Sequence, residues 1–185
     1  KDGVNVWANH LKSFGLGNFM GYDLPTGRKG HIPTSKFYDR FYPNGGWRST
    51  TIISNSIGQG EVSMTPIQLA NMMATIANRG YYYTPHIIKQ IKGRKIDAKY
   101  TTKHVTTIDR KHFDPIVNGL FDVYNHGTAY GLGVEGLEIC GKTGTAENFA
   151  KINGKRVQLE DHSEFVAFAP RIQPKIAIAV IVENG

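Results

Sequence analysis

The stretch Gly141-Lys142-Thr143-Gly144-Thr145-Ala146-Glu147 gathers one cation, two hydroxyls and a side-chain-free position within seven residues. Read as a strand, its side chains alternate between two faces, so Thr143 and Thr145 share a side and can offer two hydroxyl donors to one anionic group. Lys142 supplies a positive charge between them in sequence. Gly144 lets a ligand or a second backbone approach closely. On a sheet edge, the free N–H and C=O groups of such a strand can pair with an extended peptide. The combination suits a peptide that carries a carboxylate, with the Thr145 N–H placed to stabilise a developing oxyanion.

The same residues satisfy a rival pattern. Gly136-Leu137-Glu138-Ile139-Cys140-Gly141-Lys142-Thr143 fits G-x-x-x-x-G-K-[ST], the phosphate-binding loop. That loop needs a buried strand before it and a helix directly after it. Here Gly144-Thr145-Ala146-Glu147-Asn148 follows, then a polar run to Asn153-Gly154, and no apolar helical period begins at Lys142. These residues therefore read as a strand. A nucleotide loop and a surface strand with an incidental lysine stand as alternatives.

Around this stretch lie the elements that must position it. Downstream, Asn153-Gly154 predicts a hairpin between Lys151-Ile152 and Arg156-Val157. Ser163–Ala169 and the unbroken apolar run Ile176–Val182 then predict two more strands, the second buried on both faces. Pro170-Arg171-Ile172-Gln173-Pro174 turns between them. Strands joined this closely imply an antiparallel sheet. Upstream, Val4, Trp7, Leu11 and Phe14 recur at helical spacing, with Gly15 or Gly17 as the stop. Phe19 to Trp47 reads as a long loop rich in Pro, Gly and aromatics, and Ser54–Gly60 as a polar turn.

Thr65-Pro66-Ile67-Gln68 is a helix start: Thr65 as N-cap, Pro66 at the first position and Gln68 closing a capping box. The apolar residues from Ile67 to Ala77 predict a core helix, with Met72 and Met73 as packing residues and Gly80 as the stop. Tyr81-Tyr82-Tyr83 reads as a strand, and Lys89–Thr106 as a polar, strand-like peripheral excursion. Phe113, Ile116, Val117, Leu120, Phe121 and Tyr124 predict a second helix, with Asp114 as its cap to accommodate Pro115. Asn125-His126-Gly127 ends it, and Gly127-Thr128-Ala129 leads through a glycine-rich turn to the key strand. The predicted class is α+β, an antiparallel sheet packed with helices.

Composition narrows the function. At 185 residues, 40% hydrophobic and 20% charged, the chain is long enough for one domain with a real core. No stretch has the length of a membrane span, and no signal peptide is visible. The chain starts at Lys1-Asp2-Gly3 without a methionine, which is the expectation for a fragment. The net charge of +7 is spread through residues such as Lys89, Lys92, Arg94, Lys95, Lys99 and Lys103. No nucleic-acid module joins them, so they read as a soluble basic surface. The single cysteine, Cys140, excludes an internal disulfide and reads as a buried thiol. His10, His31 and His86 show no metal-ligand spacing, and neither a metal nor a cofactor is expected.

Gly141–Glu147 resembles the Lys-Thr-Gly box of penicillin-binding transpeptidases. Phe165–Pro170 and Ile176–Asn184 resemble the next two strands of that domain. Gly58-Gln59-Gly60, Thr65–Ala70 and Gly127-Thr128-Ala129 resemble earlier segments, in the family's order. Phe14-Gly15-Leu16-Gly17 and Gly21-Tyr22-Asp23-Leu24-Pro25 fit the class B, penicillin-binding protein 2 type that acts in elongation. The resemblance spans nearly the whole chain and implies a partial serine β-lactamase/transpeptidase-like domain. In that family a serine acyl-enzyme crosslinks peptidoglycan. Carried over, Lys142 would be catalytic, holding the positive field and bonding the site's serine. Thr143, Gly144 and Thr145 would bind the carboxylate of a stem peptide or β-lactam. The Thr145 N–H would be one oxyanion donor and the nucleophile's own N–H the other.

The sequence departs from the family in one respect. None of Ser13, Ser35, Ser49, Ser54, Ser56, Ser63 and Ser163 begins Ser-x-x-Lys or Ser-x-Asn. Tyr42-Pro43-Asn44 mimics a Tyr-x-Asn box but falls in a Pro/Gly loop. The expectation is that residues 1–185 form the C-terminal portion of the transpeptidase domain, with the nucleophile outside the chain and the fragment alone inactive. The resemblance further implies a parent on the periplasmic face of the bacterial inner membrane, held by an N-terminal helix and working with a glycan polymerase of the elongation machinery. A β-lactamase or carboxypeptidase shares the box. A non-catalytic module that binds β-lactam or peptide reversibly is the alternative from another class.

Overall fold

The computed structural model describes residues 1–131 and 133–185. In chain order its helices are α1 (Asp2–Ser13), α2 (Ser35–Phe41), α3 (Pro66–Ala77), α4 (Ala98–Thr101) and α5 (Phe113–Asn125). Its strands are β1 (Tyr81–Tyr83), β2 (Lys103–Val105), β3 (Cys140–Ala146), β4 (Phe149–Ile152), β5 (Lys155–Gln158), β6 (His162–Ala169) and β7 (Ile176–Val182). Among the described residues three antiparallel sheets form: β1-β2, β4-β5 and the central β3-β6-β7. Helices packed on an antiparallel sheet is the α+β class expected.

α3 starts as its sequence dictates. The Thr65 hydroxyl accepts from the Gln68 N–H, and Gln68 Oε1 accepts from the Thr65 N–H at 3.0 Å. The helix lies between two layers of core, which its adjacent methionines divide. Met73 and Ala77 join Val117, Cys140 and Phe168. Met72 packs on the other side, against the cluster of Ala8, Leu16 and Ile32. Gln68 is 1% exposed, and its amide donates to the carbonyls of Asn18 and Lys29, each at 3.0 Å. A helix cap thereby also holds the long Gly/Pro-rich segment in place, because buried carbonyls need partners.

Several expectations are corrected. The segment from Phe19 to Trp47 is not all loop: α2 lies within it, and Tyr38 on that helix is fully buried against Val4 and Trp47. The turn expected from Ser54 is the end of a 3₁₀ helix, Ser49–Ile57, closed by Gly58 at φ 78°. The excursion after Tyr83 is extended only at β2, with irregular backbone and α4 before it. Asp114 does not cap α5. A 3₁₀ turn, Arg110–His112, precedes the helix, and the Asp109 side chain accepts from the Lys111 N–H. Pro115 then falls in the first turn of α5, where no intrahelical donor is required. Asp114 instead pairs with Arg79 at 3.0 Å.

β7 is likewise not buried on both faces. Ala177 packs into the core, but Ile176, Ile178, Val180 and Val182 are 60, 38, 48 and 52% exposed. An unbroken apolar run carries no alternation from which its open face could be read. The Asn153-Gly154 hairpin forms as expected between β4 and β5, with both turn residues at positive φ, 50° and 80°. The glycine-rich turn before β3 includes Leu132, which lies outside the described residues.

Candidate active-site strand

β3 is anchored at one end and open at the other. Cys140 is fully buried, in contact with Met73, Ala77, Val117 and Phe168. Gly141 is also buried, and from Lys142 onward the strand emerges. Burial pushes the Cys140 thiol up to about 11, so it is the packing residue expected rather than a nucleophile.

Gly141 is required by space. A methyl there would sit 2.9 Å from the Phe165 ring, 3.0 Å from the Val166 carbonyl oxygen and 3.1 Å from Ala167 Cβ. Phe165 fills this room, and Tyr124 of α5 meets its ring edge-on, centroids 6.1 Å apart. Gly144 is different. A methyl there would meet only the flexible side chain of Glu164, 3.2 Å from Oε2.

Register fixes the faces, since directly opposed residues of antiparallel strands share one. Cys140 and Lys142 stand opposite Phe168 and Val166, on the face that carries the core of Met73, Val117 and Phe168. Thr143 and Thr145 stand opposite Phe165 and Ser163, on the other. The two threonines therefore share a side, as their spacing requires. In the order β3-β6-β7, β3 is an edge strand, so one row of its backbone groups is not consumed by β6. Lys142, Thr143, Gly144 and Thr145, the four candidate site residues, thus lie consecutively where the edge strand leaves the core.

Two contacts refine this picture. Lys142 Nζ donates to the Thr143 carbonyl at 2.6 Å, which holds the ammonium beside the strand. Thr143 Oγ1 lies 2.9 Å from Thr128 Oγ1. Sequence reasoning did not single out Thr128 as a site residue. Its signal was the Gly127-Thr128-Ala129 segment directly after α5. Gly127 packs against the α5 backbone, 2.8 Å from its own Cβ position to Val123 Cα, and Ala129 is 1% exposed. The backbone around Thr128 is thereby fixed on both sides.

The phosphate-loop alternative fails on this geometry. Lys142 is the third residue of a seven-residue strand paired throughout to β6, and β4 follows it. No helix begins at the lysine, so no fan of helix N-terminal N–H groups is available. A cavity of about 900 Å³ is lined by Gly27–His31, Ser63–Pro66, Ile181 and Glu183, and not by the four β3 residues. The four β3 residues thus lie along a sheet edge rather than in that cavity.

Residues 3–185 match the family model described as "Penicillin binding protein transpeptidase domain". The chain is 36% identical over 198 residues to the peptidoglycan D,D-transpeptidase MrdA of Acinetobacter baumannii, covering 100% of this chain and 28% of that protein. It is 30% identical to MrdA of Haemophilus influenzae, covering 99% of this chain and 30% of that protein. Among solved structures it resembles Pseudomonas aeruginosa PBP2 in complex with WCK 5153, with TM-score 0.78, 28% identity, and coverage of 98% of this chain and 38% of that one. Helicobacter pylori PBP2 gives TM-score 0.76 and 28% identity over 98% of this chain and 32% of that one. The chain thus spans under a third of the length of these curated relatives.

Proposed function

Because the chain belongs to the penicillin-binding protein transpeptidase domain family, we propose that it supplies the substrate-binding strand of a peptidoglycan D,D-transpeptidase. The observation that supports this most directly is the placement of Lys142, Thr143, Gly144 and Thr145 on an exposed sheet edge, with both hydroxyls on one side.

In this reading the stem peptide extends along β3 as an added strand, with main-chain bonds giving affinity. Its terminal carboxylate accepts from the Thr143 and Thr145 hydroxyls. Lys142 contributes a nearby positive charge, which lowers the cost of gathering anions at the site. The Thr145 N–H donates to the oxyanion of the tetrahedral intermediate. A carboxylate is an acceptor only. When one is bound, Thr143 must therefore donate to it, and the proton shared with Thr128 must come from Thr128. Thr128 acts as a positioning residue for the Thr143 hydroxyl.

The acylated serine is proposed to lie outside these 185 residues, since none of the seven serines is followed by lysine at the third position. The exposed stripe of β7 is proposed to be covered by the remainder of the same domain. The proposed setting is the periplasmic face of the inner membrane, alongside a glycan polymerase.

The test is labelling with a fluorescent penicillin. The full-length protein that carries this chain is expected to become covalently labelled, and Lys142→Ala to lose that labelling. The 185-residue chain alone is expected to give no adduct by mass spectrometry. Reversible binding of penicillin to the full-length protein with no adduct would replace this reading with a non-catalytic binding module. An adduct on the isolated chain would contradict the placement of the nucleophile.

A further inference from the structure

Ile88-Lys89-Gln90-Ile91-Lys92-Gly93-Arg94-Lys95-Ile96 carries four cations and no acid. Every residue from His86 to Lys99 is exposed, so this segment adds nothing to the core. It nevertheless keeps four large aliphatics in water: Ile87, Ile88, Ile91 and Ile96 are 73, 51, 49 and 45% exposed. Read from the sequence, these lysines are a solubilising surface. The structure instead wraps them around a cavity of about 280 Å³, with Ile88, Ile91, Ile96 and Tyr100 in its lining and Lys89, Arg94 and Lys95 beside them.

The segment has a defined shape. The Asp23 carboxylate accepts from the N–H groups of Ile87 and Ile88, at 2.7–3.0 Å, and these bonds hold its own pKa below the usual carboxylate value. Arg94 closes a turn onto the Ile91 carbonyl, 3.0 Å, across Gly93 at φ 77°. Asp97 caps α4 by accepting from the Lys99 N–H at 3.0 Å. Both acids in the lining are therefore engaged by backbone donors. Among the described residues, no carboxylate comes within ion-pair distance of Lys89, Lys92, Arg94 or Lys95. Asp23 and Asp97 keep their charge in the lining, but Lys89, Lys92, Arg94, Lys95 and Lys99 outnumber them, so a net positive field surrounds the apolar hollow.

We infer that this cleft docks an acidic polypeptide segment of a partner protein, inserting one aliphatic side chain between Ile88, Ile91 and Ile96 and placing carboxylates against Lys89, Arg94 and Lys95. Charge complementarity selects the sign of the partner. The concavity selects a peptide over a lipid bilayer, because a bilayer offers no single side chain to fill a hollow of this size. The cleft is formed by residues 23 and 88–100, none of which belongs to the β3 site.

The probe is a fluorescein-labelled twelve-residue peptide of glutamates around one central leucine, followed by anisotropy on the full-length protein. Saturable binding is expected, weakening roughly tenfold from 50 to 500 mM salt as the charges are screened. The triple variant Lys89→Glu, Arg94→Glu, Lys95→Glu is expected to weaken it by a further factor of about ten or more. Replacing the peptide's leucine by serine is expected to cost about tenfold or more, since the hollow then loses its one buried aliphatic side chain. Because the three substituted side chains are exposed, the variant should keep its Tm and its penicillin labelling. Absence of saturable binding, or equal affinity in the triple variant, overturns the proposal. So does sedimentation with phosphatidylglycerol vesicles that depends on the same three residues while the peptide fails to compete.

Discussion

Thr128→Val is the most informative substitution outside the Lys-Thr-Gly box itself. Valine keeps the shape of threonine and removes only the hydroxyl that lies 2.9 Å from Thr143 Oγ1. A neutral hydrogen bond contributes roughly 0.5–1.5 kcal/mol net. If Thr128 orders the Thr143 proton toward the ligand carboxylate, losing it should slow acylation by about two- to twelvefold, at 1.4 kcal/mol per factor of ten. Thr128 is exposed, so folding stability should change little. The assay is the second-order rate of β-lactam acylation in the full-length protein, resolved into binding and chemical steps. Thr128→Ser should recover the wild-type rate within about twofold, because it restores the donor. A Thr128→Val rate equal to wild type, or a Thr128→Ser rate as low as that of Thr128→Val, would refute the argument. The first would mean that the contact is idle; the second would assign the effect to packing rather than to the hydroxyl.

Gly141→Ala forces a methyl against the Val166 carbonyl and the Phe165 ring. It should cost about 1–3 kcal/mol and lower Tm by several degrees, read by calorimetry. Gly144→Ala meets only the Glu164 side chain. It should leave Tm nearly unchanged while reducing acylation, because the methyl stands on the Lys142 face of the strand and crowds the lysine's approach to a bound ligand. Gln68→Leu removes the donor to the Asn18 and Lys29 carbonyls in a buried position. It should destabilise by about 2–4 kcal/mol in urea unfolding and speed proteolysis of the Gly/Pro-rich segment. Cys140 should resist iodoacetamide at pH 8 in the native protein and react once unfolded, since its thiol is pushed up to about 11 by burial.

What could be read from the sequence followed from local chemistry. The capping box at Thr65 and Gln68, the apolar period of α5 and the Asn153-Gly154 hairpin each have a cause within a few residues, and each formed where expected. The alternation of Thr143 and Thr145 needed only the strand period. The failures lie where tertiary contacts decide. α2 is a seven-residue helix whose burial rests on Tyr38 meeting Val4 and Trp47, distant in sequence. The open face of β7 depends on which side α3 occupies, which a uniformly apolar run does not encode. Asp114 does not cap α5 because a 3₁₀ turn, itself capped by Asp109, runs directly into the helix. Thr128 was visible as part of Gly127-Thr128-Ala129, but its role depends on a contact fifteen residues away.

The central claim is that the two threonine hydroxyls of β3 receive a carboxylate while the Thr145 N–H receives the acyl oxygen. A crystal structure of the full-length protein acylated by a β-lactam tests it most directly. The account predicts the drug's carboxylate within hydrogen-bond reach of Thr143 Oγ1 and Thr145 Oγ1, and its ester carbonyl oxygen at the Thr145 N–H. An adduct whose carboxylate is held by other residues, with the edge of β3 left in solvent, would contradict it.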